Sequence, residues 1–215
     1  MKPVAESYFW IQGGLVPEHE AKLSPLDQGF NVGDGVYETL RAYKGKPFSL
    51  IRHWNRLEKS CKKIYVQSPT YSAFKMMIEQ TLEANQLEDA RVRVTVSSGA
   101  GPFGSARSSR EPTVVCAVSP APQYDATARV VVVPWTRNEG GALAGIKTLS
   151  HGENVMGLQH ARQRGASEAV FANTRGDLCE GATSNIFAVH GGRLTTPTLG
   201  SGCLPGVTRE LVLEL

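Results

Sequence analysis

The sequence predicts a two-domain protein built from alternating strands and helices. Two prolines within four residues, in the segment 119–123, suit neither a helix nor a strand and indicate a linker. Before the linker, residues 51–65 carry apolar side chains at a helical spacing, which predicts a helix. After it, residues 128–134 form an apolar run typical of a strand buried on both faces. We therefore expect a small amino-terminal α/β domain over residues 1–119, a linker over 120–127 and a larger domain over 128–215.

Local signals place the remaining elements. Glycines and prolines separate short runs of alternating apolar and polar residues, which are typical of strands. The first domain is predicted to contain a hairpin over 8–17, a loop over 24–29, strands over 36–43 and 48–50, helices over 51–65 and 71–85, and strands over 91–97 and 113–118. The second is predicted to contain strands over 128–134 and 168–172, a helix over 153–164, turns over 174–177 and 190–193, two further short strands, and a helix still running at residue 215. We expect the intact protein to continue, because a domain rarely ends within an uncapped helix.

The composition is that of an ordinary globular protein, with 41% hydrophobic residues, 20% charged residues and a formal net charge of +3. Because the basic residues form no stripe, nucleic-acid binding is not predicted. The four cysteines are scattered, without a C-x-x-C pair or a histidine at ligand spacing, so we expect neither a metal site nor a disulfide framework. No apolar run approaches the roughly 20 residues that span a bilayer, and the start lacks the apolar core of a signal peptide. These features predict a cytoplasmic protein without a membrane segment.

One lysine, Lys147, stands in an unusual sequence frame. It follows the Gly- and Ala-rich segment 140–146 and leads through residues 148–154 into a predicted helix. A lysine amine can condense with an aldehyde and can later carry a proton. An arbitrary lysine is far more often a solvated charge. Its frame makes Lys147 the first candidate for catalysis.

Two later segments carry groups that suit an aromatic, phosphorylated ligand. Glu180 opens the pattern Glu-Gly-x-x-Ser-Asn, and its carboxylate can pair with a protonated pyridine nitrogen. Gly206-Val207-Thr208 precedes a predicted helix, whose first backbone N–H groups can bind an anion. The alternatives are that Glu180 is a turn carboxylate and that Thr208 is an ordinary helix cap.

In chain order, these segments resemble the class IV (fold-type IV) pyridoxal-phosphate enzymes, a family that includes branched-chain and D-amino-acid aminotransferases and aminodeoxychorismate lyases. The resemblance implies an α/β to α+β fold of two domains, the second incomplete at residue 215, with pyridoxal 5'-phosphate between the domains and commonly a homodimer. It implies that Lys147 forms the Schiff base with the cofactor. The other implied cofactor-binding residues are Arg56, Glu180, Ser184, Asn185, Leu204, Gly206, Val207 and Thr208.

The resemblance extends into the first domain. Residues 53–57 match the family's H-x-x-R-L helix, whose arginine, here Arg56, reaches the phosphate. Without the resemblance, Arg56 would be interpreted as a surface residue. Tyr37 matches an aromatic residue on the substrate side of the cofactor, and a core tyrosine is the alternative. The two domains are therefore expected to share the site.

The predicted loop over residues 98–112 holds two further candidates. Arg107 and Arg110 could hold a substrate carboxylate, or they could belong to a solvated loop. The loop also contains the pattern G-x-G-x-x-G after a strand. A dinucleotide fingerprint needs a helix directly after its glycines, and here Pro102 and a further strand follow. No nicotinamide or flavin site is predicted.

The reaction implied by the resemblance is transamination between an amino acid and a 2-oxo acid, through a Schiff base on Lys147. Aminodeoxychorismate lyase uses the same cofactor and lysine but releases pyruvate and 4-aminobenzoate, and the residues do not separate the two reactions. A catalytically incompetent fragment is a third interpretation, because the predicted phosphate site lies close to residue 215. The expected partners are small amino and 2-oxo acids and a second copy of the chain.

Overall fold

The computed structural model describes residues 6–108 and 111–215, and the chain divides into two compact units. The first unit runs to Gln123 and also includes Lys147–Ser150, whereas the second comprises Tyr124–Ile146 and His151–Leu215. The division after Gln123 falls inside the segment predicted as a linker. The prediction assigned Lys147–Ser150 to the second domain. The structure groups this segment with the first unit because its backbone pairs with a strand there.

The first unit is a six-stranded antiparallel sheet with two helices packed against it. The sheet has the strand order β2-β1-β6-β5-β3-β4. Its strands are β1 (Tyr8–Ile11), β2 (Gly14–Pro17), β3 (Gly35–Tyr43), β4 (Lys46–Pro47), β5 (Ala90–Ser97) and β6 (Thr113–Pro120). A 3-10 turn spans Glu18–Glu20, and the helices are α1 (Gln28–Val32), α2 (Leu50–Lys63) and α3 (Tyr71–Ala84).

The core of the first unit lies between the sheet and helices α2 and α3. Side chains alternate between the two faces of a strand, and β3 and β5 pair along their whole lengths, from Gly35 opposite Ser97 to Ala42 opposite Ala90. Their helix-facing residues are buried, together with apolar residues of the helices: Val36, Leu40, Val92, Val94, Val96, Leu57, Phe74, Met77 and Ile78. The same alternation places Tyr37 and Arg93 together on the other face of the sheet.

The second unit is built on a three-stranded sheet. Strand β7 (Val130–Arg137) runs parallel to β8 (Glu168–Asn173), which pairs antiparallel with β9 (Leu178–Gly181). Helix α4 (Gly152–Arg162) packs against β8, and a Cβ atom on Gly157 would lie 2.7 Å from the Phe171 ring, so only glycine permits this approach. The remaining elements are the hairpin β10 (Ala188–His190) and β11 (Arg193–Thr195), a 3-10 turn at Leu199–Ser201 and helix α5 (Val207–Glu214).

Two local predictions were wrong, and a third was wrong only at its end. Residues 128–134 were predicted to be buried on both faces, but Val130 and Val132 of β7 are 57% and 68% exposed because α4 covers the other face. Residues 48–50 are not a strand, since α2 already begins at Leu50. The predicted loop over 24–29 runs into helix α1, whose first turn is capped by the Asp27 side chain accepting from the Gly29 N–H.

Candidate active site

Lys147 is fixed to the sheet of the first unit through its backbone. Strand β4 pairs only with Ala42 and Tyr43 at the end of β3, so the first half of β3 has an open edge. The segment around Thr148 fills that edge: the Tyr37 N–H donates to the Lys147 carbonyl at 2.9 Å, and the Leu149 N–H donates to the Gly35 carbonyl at 2.9 Å. This strand-like pairing fixes the position of the Lys147 Cα, from which the side chain extends.

The Lys147 ammonium lies against Tyr37, at 4.5 Å from the ring centroid. The guanidinium of Arg93 lies over the same ring at 3.7 Å, so two cationic groups share one aromatic side chain. Tyr37 is 6% exposed, and burial raises the pKa of its hydroxyl even though the Arg93 charge acts in the opposite direction. The tyrosine therefore stays neutral near pH 7 and keeps its proton available as a donor.

Arg93 is a residue that the sequence interpretation missed. Arg91 and Arg93 alternate along the strand predicted over 91–97, but in the sequence this alternation indicates only how charge is distributed. The link to Tyr37 depends on the pairing of β5 with β3, in which Thr39 lies opposite Arg93 and Tyr37 opposite Thr95. A strand register of this kind leaves no signal in either strand alone.

Arg56 of helix α2 is held by a buried carboxylate. Its Nε donates to Oε1 of Glu38 at 2.8 Å and its Nη2 to Oε2 at 2.8 Å, a two-point contact. The Nδ1 of His53, one helical turn earlier, lies 2.8 Å from the same Oε2. Glu38 is fully buried, and although burial raises its pKa, the hydrogen bonds from Arg56 and His53 outweigh that effect and hold the pKa below its usual value. Arg56 is thus not a loose surface residue.

In the second unit, Glu180 on β9 lies beside the turn that leads into α5. Its Oε2 accepts a hydrogen bond from the Leu204 backbone N–H at 2.8 Å. The Nε of Arg137 lies 3.5 Å from its Oε1, and the Nη1 of Arg137 donates to Glu153 at 3.0 Å. The Arg137 guanidinium is stacked over the Phe171 ring at 4.2 Å. The Glu180 side chain is 14% exposed.

Asn185 and Gly206 shape the start of helix α5. The Asn185 Nδ2 donates to the Leu204 carbonyl at 2.9 Å, and a Cβ atom on Gly206 would lie only 1.8 Å from Asn185 Oδ1. Gly206 is the N-cap residue and no side chain caps the helix, so Thr208 is not the cap. The first N–H groups of a helix have no partner within it, and an anion is the natural ligand for such an end.

The remaining predicted residues have other local partners. The Ser184 hydroxyl donates to Oε2 of Glu168 at 3.1 Å, and Leu204 is half-buried. The Nε of Arg107 donates to Asp34 at 2.6 Å, and its Nη1 donates to the Ile64 carbonyl at 2.6 Å. Arg107 therefore joins its loop to Asp34 and to the end of α2. Arg110 lies outside the described residues.

The described residues fit the chemistry of pyridoxal phosphate within each unit. The first unit supplies a backbone-anchored amine and an ordered guanidinium. The second supplies an accessible carboxylate beside a helix start where only glycine fits. The four cysteines are buried free thiols, and burial raises the pKa of Cys61 and of Cys116 to about 12. Thiol nucleophiles are therefore poor candidates at neutral pH.

Within residues 6–108 and 111–215, no group of three or more His, Cys, Asp or Glu side chains could hold a metal ion. In the same part of the chain, no helix combines the length and the apolar character needed to cross a bilayer.

Comparison with known proteins places these features in context. The model of the amino-transferase class IV family matches residues 35–215. A putative branched-chain-amino-acid aminotransferase of Methanocaldococcus jannaschii is 34% identical over 211 residues, covering 96% of this chain and 73% of the relative. Aminodeoxychorismate lyase of Bacillus subtilis is 32% identical over 212 residues, covering 95% and 72%. The crystal structure of a branched-chain aminotransferase from Thermoproteus uzoniensis with norvaline has a TM-score of 0.91 and 31% identity, covering 97% of this chain and 74% of that one.

Proposed function

We propose that this chain, which belongs to the class IV aminotransferase family, transfers an amino group between an amino acid and a 2-oxo acid with pyridoxal phosphate as cofactor. The observation that carries the proposal is the position of Lys147, whose backbone is paired with β3 and whose amine lies 4.5 Å from the Tyr37 ring. Bound pyridoxal phosphate supplies an aldehyde that condenses with amines and a ring that accepts the electron pair of the substrate Cα–H bond.

Lys147 is the group that attaches the cofactor and moves the proton. Its amine would be the group that joins the cofactor aldehyde, and the same amine, when free, would take the proton from the substrate Cα. A base has to lie within hydrogen-bond reach of the proton that it removes. The pairing of residues 147–149 with β3 supports this role, because it limits the movement of Lys147 to its side chain.

Further residues are proposed to hold the cofactor. Glu180 would pair with the pyridine nitrogen and keep it protonated, which would favour withdrawal of electrons from Cα. Gly206, Val207 and Thr208, at the helix end with no side-chain cap, would bind the phosphate. Arg56 of the first unit is proposed as a phosphate ligand on the family resemblance. Asn185 would keep the entry to that helix in shape, Leu204 would pack against the ring and Ser184 would line the pocket.

Arg93 is proposed to bind the carboxylate that amino-acid and 2-oxo-acid substrates share. Its guanidinium offers a planar fork of donors, and it lies over the same Tyr37 ring as the Lys147 amine. A carboxylate on Arg93 would bring the substrate Cα, one bond away, toward Lys147. Tyr37 lies beside both cationic groups and would limit the substrate side of the site.

Aminodeoxychorismate lyase activity is the second candidate, and the 32% identity to the Bacillus subtilis lyase favours it. The same lysine, carboxylate and phosphate contacts serve both reactions. The lyase substrate is larger and already carries the enolpyruvyl group that leaves as pyruvate. The choice between the two reactions therefore depends on which substrates fit the substrate side of the site, and not on the cofactor contacts.

A panel of amino donors with 2-oxoglutarate or pyruvate as acceptor tests the proposal. Branched-chain, aromatic and acidic L-amino acids and their D-isomers are supplied in turn, and the new amino acid is quantified. A parallel assay follows release of 4-aminobenzoate from aminodeoxychorismate. Product from at least one donor pair, abolished by Lys147→Ala, supports transamination. Release of 4-aminobenzoate without amino transfer would replace the transferase with the lyase, and no product in either assay would refute both.

A further inference from the structure

We propose that Glu38 is a positioning residue for the cofactor phosphate: it holds the Arg56 guanidinium in the orientation that binds the phosphate. The inference rests on the proposed function, because it concerns how Arg56 serves the cofactor. It adds a residue that the sequence patterns did not indicate. The geometry on which it depends lies entirely within the first unit.

The contact between Glu38 and Arg56 fixes both the place and the plane of the guanidinium. Two hydrogen bonds of 2.8 Å, from Nε and from Nη2, join the two planar groups edge to edge. A single contact would allow the guanidinium to rotate about the bond, whereas two parallel contacts do not. Arg56 is only 11% exposed, so the surrounding side chains also restrict it. An arginine held in this way loses little side-chain entropy when it binds a further anion.

His53 completes the enclosure of Glu38. Its Nδ1 lies 2.8 Å from Glu38 Oε2, the oxygen that also accepts from Arg56 Nη2. His53 and Arg56 are separated by three residues, so they lie on the same face of helix α2 and both point toward β3. Glu38 lies on the helix-facing side of β3, in line with the buried residues Val36 and Leu40. The carboxylate is therefore surrounded by donors on one side and by apolar core on the other.

Stability alone is a poor explanation for this arrangement. A buried ion pair gains little net stability, because removing two charges from water offsets their attraction, and apolar residues of similar size often do as well. Glu38 has no exposed surface and stands where an apolar residue would extend the core. A carboxylate at this position is explained if Arg56 has to be both charged and immobile, which is what a phosphate dianion requires of its ligand.

Paired titrations of the full chain, freed of cofactor, test the proposal. Pyridoxal phosphate and pyridoxal, which lacks the phosphate, are each titrated into the wild type and into Glu38→Gln, and binding is followed by the visible absorbance band that depends on Lys147. We expect Glu38→Gln to weaken the affinity for pyridoxal phosphate by about tenfold or more and to change the affinity for pyridoxal by less than about twofold. The control is Glu79→Gln, which removes an exposed carboxylate paired with Lys75 on α3. It should change the affinity for neither ligand.

A double variant separates positioning from folding. In Glu38→Met/Arg56→Met the whole ion pair is replaced by apolar side chains, so the chain should fold, bind pyridoxal and lose the preference for the phosphorylated ligand. In an Arg56→Met background, Glu38→Met should cause no further loss of that preference. Equal weakening of both ligands by Glu38→Gln, or an unchanged preference, would overturn the proposal. Failure of the wild type to form the Lys147-dependent band would instead refute the proposed function.

Discussion

Two carboxylates, one in each unit, show how the same group serves different purposes. Glu38 is fully buried and receives three hydrogen bonds from Arg56 and His53. Glu180 is 14% exposed, its Oε2 accepts a hydrogen bond from the Leu204 backbone N–H, and the Nε of Arg137 lies 3.5 Å from its Oε1. Glu38 is therefore enclosed by the protein, whereas part of the Glu180 side chain reaches the surface. Full burial suits a carboxylate proposed to orient another side chain, and partial exposure suits one proposed to contact a ligand.

The largest expected effect comes from the partly exposed carboxylate. Glu180→Gln should lower kcat/KM for amino transfer by about 10²–10³-fold, because a neutral amide no longer favours a protonated pyridine nitrogen. The same substitution should lower the free energy of unfolding by only about 1 kcal/mol, because the Glu180 side chain is partly exposed. Steady-state kinetics and urea unfolding of the same preparation check both values. A variant that loses stability in proportion to activity would remove the distinction between Glu180 and Glu38.

The buried carboxylate should show the opposite balance. Glu38→Gln leaves the Arg56 charge without its counter-charge and should lower the free energy of unfolding by about 3 kcal/mol. Glu38→Met/Arg56→Met should recover most of that loss, since it removes both buried charges. Urea unfolding of the cofactor-free chain measures each value. Strictly additive losses in the double variant would mean that the two side chains are not coupled.

The start of helix α5 offers a test with a matched glycine. Gly206→Ala would place a methyl group 1.8 Å from Asn185 Oδ1, so either the Asn185 side chain or the helix start has to shift. The affinity for pyridoxal phosphate should then fall by about tenfold. Gly200→Ala is the control, because its added Cβ would lie 3.6 Å from Thr198 Oγ1, an ordinary contact. Equilibrium titration with the cofactor compares them. Equal affinities in the two variants would argue against a phosphate site at Gly206.

The smallest effect is expected for a pair near the surface, Asp34 and Arg107, which are 20% and 35% exposed. Burial raises the pKa of Asp34, but the hydrogen bonds from Arg107 and Ser98 together outweigh that effect. The pKa of Asp34 in the folded protein therefore lies below its ordinary value of 3.8. A carboxylate whose pKa is lowered by folding stabilises the folded protein at pH values above its pKa in the unfolded chain. That stabilisation is lost as the pH falls through its pKa in the folded protein. Asp34→Asn should therefore lower the free energy of unfolding by about 0.5–1 kcal/mol at pH 6. The difference in stability between the variant and the wild type should shrink below about pH 4. A cost that stays constant down to pH 2 would show that the charge is not its source.

The success of the sequence interpretation depended on how local each feature was. The helices over 51–65 and 71–85 were confirmed, because their apolar spacing records a single packed face. Lys147 and Glu180 were proposed because each sits in a compact motif, and their roles stay predictions. Arg93 was not, since its neighbour Tyr37 is reached only through the register of two strands. The exposed residues of β7 were missed because an apolar run does not reveal how many of its faces are covered.

The pairing of charges was equally beyond the sequence. Arg107 was interpreted as a possible substrate ligand, but which carboxylate it meets depends on how its loop folds back, and in the structure it binds Asp34. Glu38 and Arg56 are 18 residues apart and belong to a strand and a helix. No spacing rule connects them, because their contact is set by the packing of α2 on the sheet. The partnerships of these residues were therefore not predictable from the sequence, and the chemistry proposed for single residues stays a prediction.

The central claim is that Lys147 carries the cofactor. The full chain is saturated with pyridoxal phosphate, reduced with borohydride, which makes the link between amine and cofactor permanent, and digested for mass spectrometry of the peptides. The account predicts that the phosphopyridoxyl mass is found on Lys147 and that Lys147→Ala is not labelled. Label on a different lysine, or none at saturating cofactor, would contradict it.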